Sequence, residues 1–245
     1  MFKTNDNLDV KVTTIKGHQA VIIDNFYENP DEVRERALTE KYSDDEGLCS
    51  GFPGWRIFEK DNDIQNYLYN LFLELAIDNG IWDKKNLLNI REFDKSWNSA
   101  GFMVNLLNDE SLIKDPLAIV PHQDAYTGVK EPGLPNFQFG ANIYLNSPEE
   151  CAGGTAIYSF NGDVSIPQRY VSGIPIPDNE ENLTNAERFK HVRYHTRNGP
   201  HWKVEHELEM VYNRMVMYEA DLLHGQSVDL GMFTNYHRMN QVIFM

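Results

Sequence analysis

The spacing of hydrophobic residues changes along the chain, and each change predicts a different kind of element. His18–Asp24 (HQAVIID) is short, rich in β-branched residues and followed by a break, which predicts a strand. Asn29-Pro30-Asp31-Glu32 then opens a helix: Asn29 can cap it, Pro30 suits its first position, and Glu32 follows the cap by three residues. Val33 and Ala37 would face the core. Ile64, Leu68, Leu71 and Leu75 recur at helical spacing and predict a second helix over Ile64–Ala76. Gly51-Phe52-Pro53-Gly54 makes a turn-rich loop between the two helices.

From Leu88 onward the apolar runs become short and are separated by Gly, Pro, Asn and Asp. They predict strands at Gly101–Leu107, Leu117–Pro121, Phe139–Leu145, Thr155–Phe160, Asn213–Tyr218, Leu222–Gln226 and Arg238–Phe244. Phe139–Leu145 and Thr155–Phe160 flank Pro148 and Gly153-Gly154, which reads as a hairpin. The stretch 163–200 is polar, carries Pro167, Pro175 and Pro177, and reads as an irregular excursion, either a lid or a plain surface loop. No linker divides the chain. The expected organisation is a single domain over 1–245, in which helices and strands of 1–100 support a β core of 101–245. The fold class is mostly β with flanking helices: a sandwich, barrel or jelly roll.

Composition narrows the function classes. The 245 residues are 41% hydrophobic and 12% aromatic, as in an ordinary globular protein large enough for its own core. No apolar run approaches the ~18 residues of a membrane span, and the start MFKTNDNLDVKV lacks the apolar region of a secretory leader. The two cysteines, Cys49 and Cys151, are too few for a disulfide scaffold, so a reducing, cytoplasmic setting is expected. A formal net charge of -15 argues against a nucleic-acid partner, which would require surplus Lys and Arg.

The candidate chemistry lies in the β half. His122-Gln123-Asp124 follows the apolar run Leu117-Ala118-Ile119-Val120, and period-2 alternation puts residues 122 and 124 on one side of a strand end. A short triplet of this kind arises easily by chance. A third ligand is available in His224, within Tyr218-Glu219-Ala220-Asp221-Leu222-Leu223-His224-Gly225, a strand, a turn and a second apolar strand. Two imidazoles and one carboxylate on one side of a metal leave its other side open, the arrangement of non-haem iron oxygenases. Arg238 opens the last apolar strand, fourteen residues after His224. A buried guanidinium cannot be neutralised and needs an anion, either a structural carboxylate or a dicarboxylate ligand held in bidentate fashion.

In these residues the sequence resembles the Fe(II)/2-oxoglutarate-dependent dioxygenase superfamily, over about Leu117 to Met245. His122 and Asp124 match the family's HxD and His224 its distal histidine, and Arg238 stands where the family places the residue binding the far carboxylate of 2-oxoglutarate. The HQD form is similar to the phytanoyl-CoA hydroxylase branch, without that branch's glycine-serine-histidine around the distal histidine. Tyr144-Leu145-Asn146 followed by Gly153-Gly154-Thr155 looks like the hairpin of prolyl-4-hydroxylase-type members. Asn25–Pro30 and Pro53-Gly54-Trp55-Arg56 resemble small, poorly characterised relatives.

The resemblance implies a double-stranded β-helix, a cupin-like jelly roll. It also implies Fe(II), 2-oxoglutarate and O2 as cofactors, and hydroxylation of a small molecule (an amino acid or natural-product intermediate) with release of succinate and CO2. Halogenating relatives have a small residue in place of the carboxylate, and Asp124 is present here. Asn142 and Tyr144, on one face of their strand, are candidates to help hold 2-oxoglutarate; Gln123 and Tyr126 are candidates to orient the site.

Other histidines lead less far. His191 and His195 are four apart in a segment that reads as exposed strand or turn, and no HExxH is present. His201 and His206 fall in polar sequence, His237 alternates away from Arg238, and His18 is peripheral. P-loop, GxGxxG and GxSxG motifs are absent. The competing readings are a non-catalytic or zinc-binding jelly roll, a zinc enzyme using the same triad, and a peptidyl or protein hydroxylase.

Overall fold

The computed structural model describes residues 2–39, 54–57, 61–81, 103–114, 119–124, 139–162, 173–175, 177 and 179–244. The strands are β1 (Asp9–Ile15), β2 (His18–Asp24), β3 (Trp55–Ile57), β4 (Met103–Leu107), β5 (Phe139–Tyr144), β6 (Gly154–Phe160), β7 (Trp202–Glu209), β8 (Met215–Glu219), β9 (His224–Gln226) and β10 (Arg238–Phe244). The helices are α1 (Pro30–Thr39), α2 (Asn62–Asp78), α3 (Asp109–Lys114) and α4 (Asn185–Asn198). The strands form a seven-stranded sheet of order β1-β2-β8-β5-β10-β4-β3 and a three-stranded sheet of order β7-β6-β9. Every strand pair is antiparallel. Among the described residues the two sheets do not close into a barrel.

Period-2 alternation gives the large sheet two apolar faces. On one, Val21, Ile23, Ala141, Ile143, Met215, Met217, Met239 and Ile243 pack with Val33 and Ala37 of α1 and with Leu68, Phe72 and Ala76 of α2. Burying each large side chain of this set stabilises the fold by roughly 1.5–3 kcal/mol. On the other face, Ala20, Tyr144, Val216 and Tyr218 pack with Ile157 of β6 and Leu208 of β7. The Tyr144 and Thr155 hydroxyls share a 2.9 Å hydrogen bond that joins β5 to β6 across the two sheets. Polar side chains of β5 and β10 that alternate with the helix-facing residues therefore point between the sheets.

The helices at Pro30 and Ile64 and the strands His18–Asp24 and Arg238–Phe244 are where the apolar spacing placed them. In α2 the fully buried side chains are Leu68, Phe72 and Ala76, with Leu71 and Leu75 only partly buried. Four expectations need correction. The segments at Phe139 and Thr155 do not form a hairpin: both edges of β5 are taken by β8 and β10, so the chain crosses to the other sheet before β6 begins. Ile119–Pro121 is not strand; the part Leu117-Ala118 lies outside the described residues. The stretch 163–200 is not wholly irregular, because α4 occupies its C-terminal part. The Thr184/Glu187 capping box starts that helix, and Phe189 and Val192 bury its apolar stripe. His191 and His195 therefore sit on a helix, not on a strand or turn, and His191 Nε2 donates to the Pro175 carbonyl at 2.7 Å. Strands β1 and β7 were not expected from the sequence.

The crossing to β6 depends on Gly153. Its φ is +67°, and a Cβ there would lie 2.0 Å from the Ser227 carbonyl oxygen, just beyond β9. Gly231 also has a positive φ, +100°, yet among the described residues a Cβ there meets nothing within 4 Å. Gly231→Ala is expected to cost on the order of 1–3 kcal/mol from its backbone alone. Gly153→Ala should cost clearly more, because the Ser227 backbone at the end of β9, paired with β6 in the same sheet, must also move. Urea unfolding of the two variants measures the difference, and equal losses would contradict the packing argument.

Candidate metal centre

The site is built where two chain segments meet. His122 and His224 form an isolated antiparallel bridge in which each amide donates to the other's carbonyl at 2.8 Å. Two residues on, the Asp124 amide donates to the Ala220 carbonyl at 2.8 Å, and the Gln123 side-chain amide donates to the Asp221 carbonyl. Gln123 is thus a clamp between the segment 122–124 and the turn preceding His224. Directly paired residues project to the same side, and the two imidazole centroids lie 4.6 Å apart.

Backbone carbonyls orient both rings. His122 Nδ1 donates to the Val120 carbonyl at 3.2 Å, and His224 Nδ1 donates to the Leu222 carbonyl at 3.0 Å. A carbonyl can only accept, so the proton sits on Nδ1 and the lone pair on Nε2. Both Nε2 atoms are turned to Asp124, His122 at 3.7 Å from Oδ1 and His224 at 3.3 Å from Oδ2. One ligand atom from each of the three residues lies within 4.8 Å of the others. The Asp124 side chain is only 6% exposed, and its Oδ2 has no hydrogen-bond partner among the described residues.

Electrostatics carries the same message. Burial pushes the Asp124 carboxyl up to about 6, partly offset by His122, and burial pushes His224 down to about 4. A buried carboxylate facing imidazole lone pairs is an unfavourable grouping without a cation, and an orphaned buried oxygen needs an explanation. A divalent metal would supply it: two neutral imidazoles and one carboxylate suit iron(II) with open positions, or catalytic zinc.

Gly140 gives the carboxylate its room. A Cβ at this position would lie 2.9 Å from Asp124 Oδ2 and 3.3 Å from the Tyr218 ring, its cross-strand partner on β8. The Tyr218 ring centroid lies 4.5 Å from that of His224, and burial followed by the Asp124 charge holds its phenol well above the usual range. From Tyr218 a chain of hydrogen bonds runs along the inner face of the large sheet. Asn142 Nδ2 donates to the Tyr218 hydroxyl at 3.1 Å, Asn240 Nδ2 donates to Asn142 Oδ1 at 2.7 Å, and Arg238 Nη1 donates to Asn240 Oδ1 at 2.7 Å.

Arg238 is 2% exposed, and its guanidinium lies 5.5 Å from the Tyr144 ring centroid. Its Nε has no hydrogen-bond partner among the described residues. Burial pulls its pKa down, and among the described residues the groups that favour its charge are Tyr144 and Tyr218, with no carboxylate among them. The structure thus gathers His122, Asp124 and His224 in one cluster, and Arg238, Asn142 and Tyr144 in a second, linked to the first through Tyr218. Tyr126 lies outside the described residues. Gly140, Tyr218 and Asn240 were missed from the sequence. The available signal was period 2: Gly140-x-Asn142-x-Tyr144 and Arg238-x-Asn240 each line one face.

Taken together, the fold and site define a mostly antiparallel β protein with three side chains of metal-ligand type gathered between its sheets. The chain belongs to a family of unknown function (DUF6445), whose model matches residues 6–232 and so spans all three ligand residues but not Arg238. No curated protein matches it. Among solved structures it is similar to the crystal structure of EvdMO1, at 13% identity and a TM-score of 0.34. The aligned part is 98% of this chain and 55% of that one, so the chain spans little more than half its length.

Two outcomes follow from this geometry. Gly140→Ala is expected to lower metal affinity by about 10–100-fold, the usual effect of displacing a group that positions a ligand, and calorimetric titration with Mn(II) or Zn(II) checks it. Wild-type affinity would show that the carboxylate has room to spare. The raised Asp124 pKa also makes protons compete with metal from about pH 6 downward. The metal-induced rise in melting temperature should be full at pH 7.5 and shrink as pH falls below 6. A rise that stays constant down to pH 5 would contradict this.

Proposed function

We propose that this chain is an Fe(II)/2-oxoglutarate-dependent dioxygenase that hydroxylates a small molecule on a double-stranded β-helix scaffold. In the overall reaction, substrate R–H, 2-oxoglutarate and O2 give R–OH, succinate and CO2. The observation that carries the reading is Arg238. It is a buried guanidinium without a carboxylate partner among the described residues, tied by hydrogen bonds to the side of the metal cluster. Leaving such a charge uncompensated costs several kcal/mol, and a bidentate carboxylate removes that cost. A zinc-only reading accounts for the triad and leaves Arg238 without an anion.

The strand path supports the scaffold. From β4 onward the chain visits the large sheet (β4), the bridge at His122, the large sheet (β5), the small sheet (β6, β7), the large sheet (β8), the small sheet (β9) and the large sheet (β10). Counting the His122 bridge as a fourth member of the small sheet beside β9, this gives two facing sets of four, β8-β5-β10-β4 and β7-β6-β9-His122. Alternation of this kind between two sheets is what a jelly roll requires.

In this reading His122, Asp124 and His224 hold the iron on one side, and their fixed Nδ1 protons keep each lone pair aimed. Iron(II) bound by these residues would supply the redox chemistry that couples oxygen activation to decarboxylation of the oxo acid. Arg238 takes the far carboxylate of 2-oxoglutarate and Tyr144 packs on the guanidinium face. Asn240 and Asn142 fix the arginine's direction, while Tyr218 closes the inner side of the centre against water. The organic substrate enters from the side of His122, whose side chain is 24% exposed against 6% for His224.

The test is succinate formation in air by anaerobically prepared protein loaded with Fe(II) and 2-oxoglutarate. Slow turnover without substrate is expected, abolished in His122→Ala. Arg238→Leu should raise the KM for 2-oxoglutarate by about 100-fold, corresponding to the 2–5 kcal/mol typical of breaking a buried charge pair, while Fe(II) affinity is unchanged. Absence of succinate in the wild type, or an unaltered KM in Arg238→Leu, would overturn the proposal.

A further inference from the structure

A second group of ligand-type side chains lies where the paired strands β2 and β8 end, formed by His18 at the start of β2, Glu219 at the end of β8 and Asp221 in the turn that follows. His18 Nδ1 stands 2.8 Å from Glu219 Oε2 and 3.3 Å from Asp221 Oδ1. One ring nitrogen thus faces two carboxylates. Carrying one proton, it can serve only one of them well, and the 2.8 Å contact identifies Glu219 as the one served. Asp221 Oδ1 is shut off from solvent and has no hydrogen-bond partner among the described residues, although the residue as a whole is only partly buried. The Gln19 amide donates to Glu219 Oε1 at 2.9 Å and fixes that carboxylate from behind.

We propose that His18, Glu219 and Asp221 form a second divalent-cation site, of the transition-metal type that accepts one imidazole and two carboxylates, with zinc as the best match. Zinc takes nitrogen and oxygen ligands at about 2.0–2.2 Å, which places tetrahedral ligand atoms roughly 3.4 Å apart. The His18–Asp221 separation already meets that spacing, and Glu219 needs a shift of about half an ångström at a side chain that is 28% exposed. A metal in place of the shared proton satisfies the imidazole lone pair, both carboxylates and the orphaned oxygen together. Water fills the fourth position at this half-buried strand end. The chain's net charge of -15 draws cations toward it.

The site has a structural consequence. Asp221 belongs to the turn between Tyr218 and His224, and its carbonyl receives the Gln123 clamp. A cation held by Asp221 pins that turn to β2 and steadies the backbone to which Asp124 and His224 are bonded.

This inference does not rest on the oxygenase reading, and zinc alone tests it. Calorimetric titration with Zn(II), checked by metal analysis after gel filtration, should give two equivalents for the wild type and one for His122→Ala. His18→Ala should also bind one equivalent, and the His18→Ala/His122→Ala double variant none. Asp221→Asn, which preserves size and fold, should lose the same equivalent as His18→Ala, with circular dichroism confirming the folded state of each. A wild type that binds a single equivalent, lost in His122→Ala, or a zinc count unchanged in both His18→Ala and Asp221→Asn, would reduce the group to a histidine–carboxylate ion pair and overturn the proposal.

Discussion

The interaction on which the rest depends is the enclosure of the Asp124 carboxylate between two imidazoles. Taking a carboxylate out of water costs several kcal/mol unless donors or a cation compensate, and here Oδ2 has no donor among the described residues. The surroundings hold this arrangement in place. The His122–His224 bridge fixes the separation of the two segments, the Val120 and Leu222 carbonyls fix the tautomers, and Gly140 leaves space that any side chain would fill. The unfavourable charge is therefore a constraint on the fold, and a divalent cation bound there would relieve it.

The large sheet extends that constraint sideways. One face of β5, β8 and β10 buries aliphatic and methionine side chains against two helices, an ordinary core. The opposite face carries Asn142, Tyr218, Asn240 and Arg238 in one hydrogen-bonded line. Buried polar networks are tolerated when their members are satisfied. This one is satisfied except at the guanidinium, where Nε remains unmatched. The shortfall lies at the far end of the line from the metal cluster, which suits a ligand with a metal-binding group at one end and a carboxylate at the other.

Much of this was legible in the sequence, for physical reasons that differ by residue. His122-Gln123-Asp124 is local, so its alternation can be read directly, and Arg238 is visible because a cation heads an otherwise apolar strand. The roles of Gly140 and Tyr218 were not legible, although alternation puts Gly140 on the same face as Asn142 and Tyr144. The role of the glycine comes from the side chain opposite it, through the pairing of β5 with β8, which are separated by some seventy residues of chain. Helix α4 was hidden because NAERFKHVRYHTRN is polar on most of its surface, and only its capping box at Thr184 and Glu187 marks its start. Strand β7 (WKVEHELE) was missed for a similar reason: its alternation is between polar residues and a few apolar ones at the edge of a small sheet. His18 read as peripheral because its partners, Glu219 and Asp221, lie two hundred residues away in sequence.

The most direct test of the central claim is an anaerobic absorbance titration of the Fe(II)-loaded protein with 2-oxoglutarate. If the triad holds the metal and Arg238 the far carboxylate, a visible iron-to-oxo-acid charge-transfer band grows and saturates. It is lost in Asp124→Ala and needs far more 2-oxoglutarate in Arg238→Leu. Bound iron that develops no band at saturating 2-oxoglutarate would contradict the account.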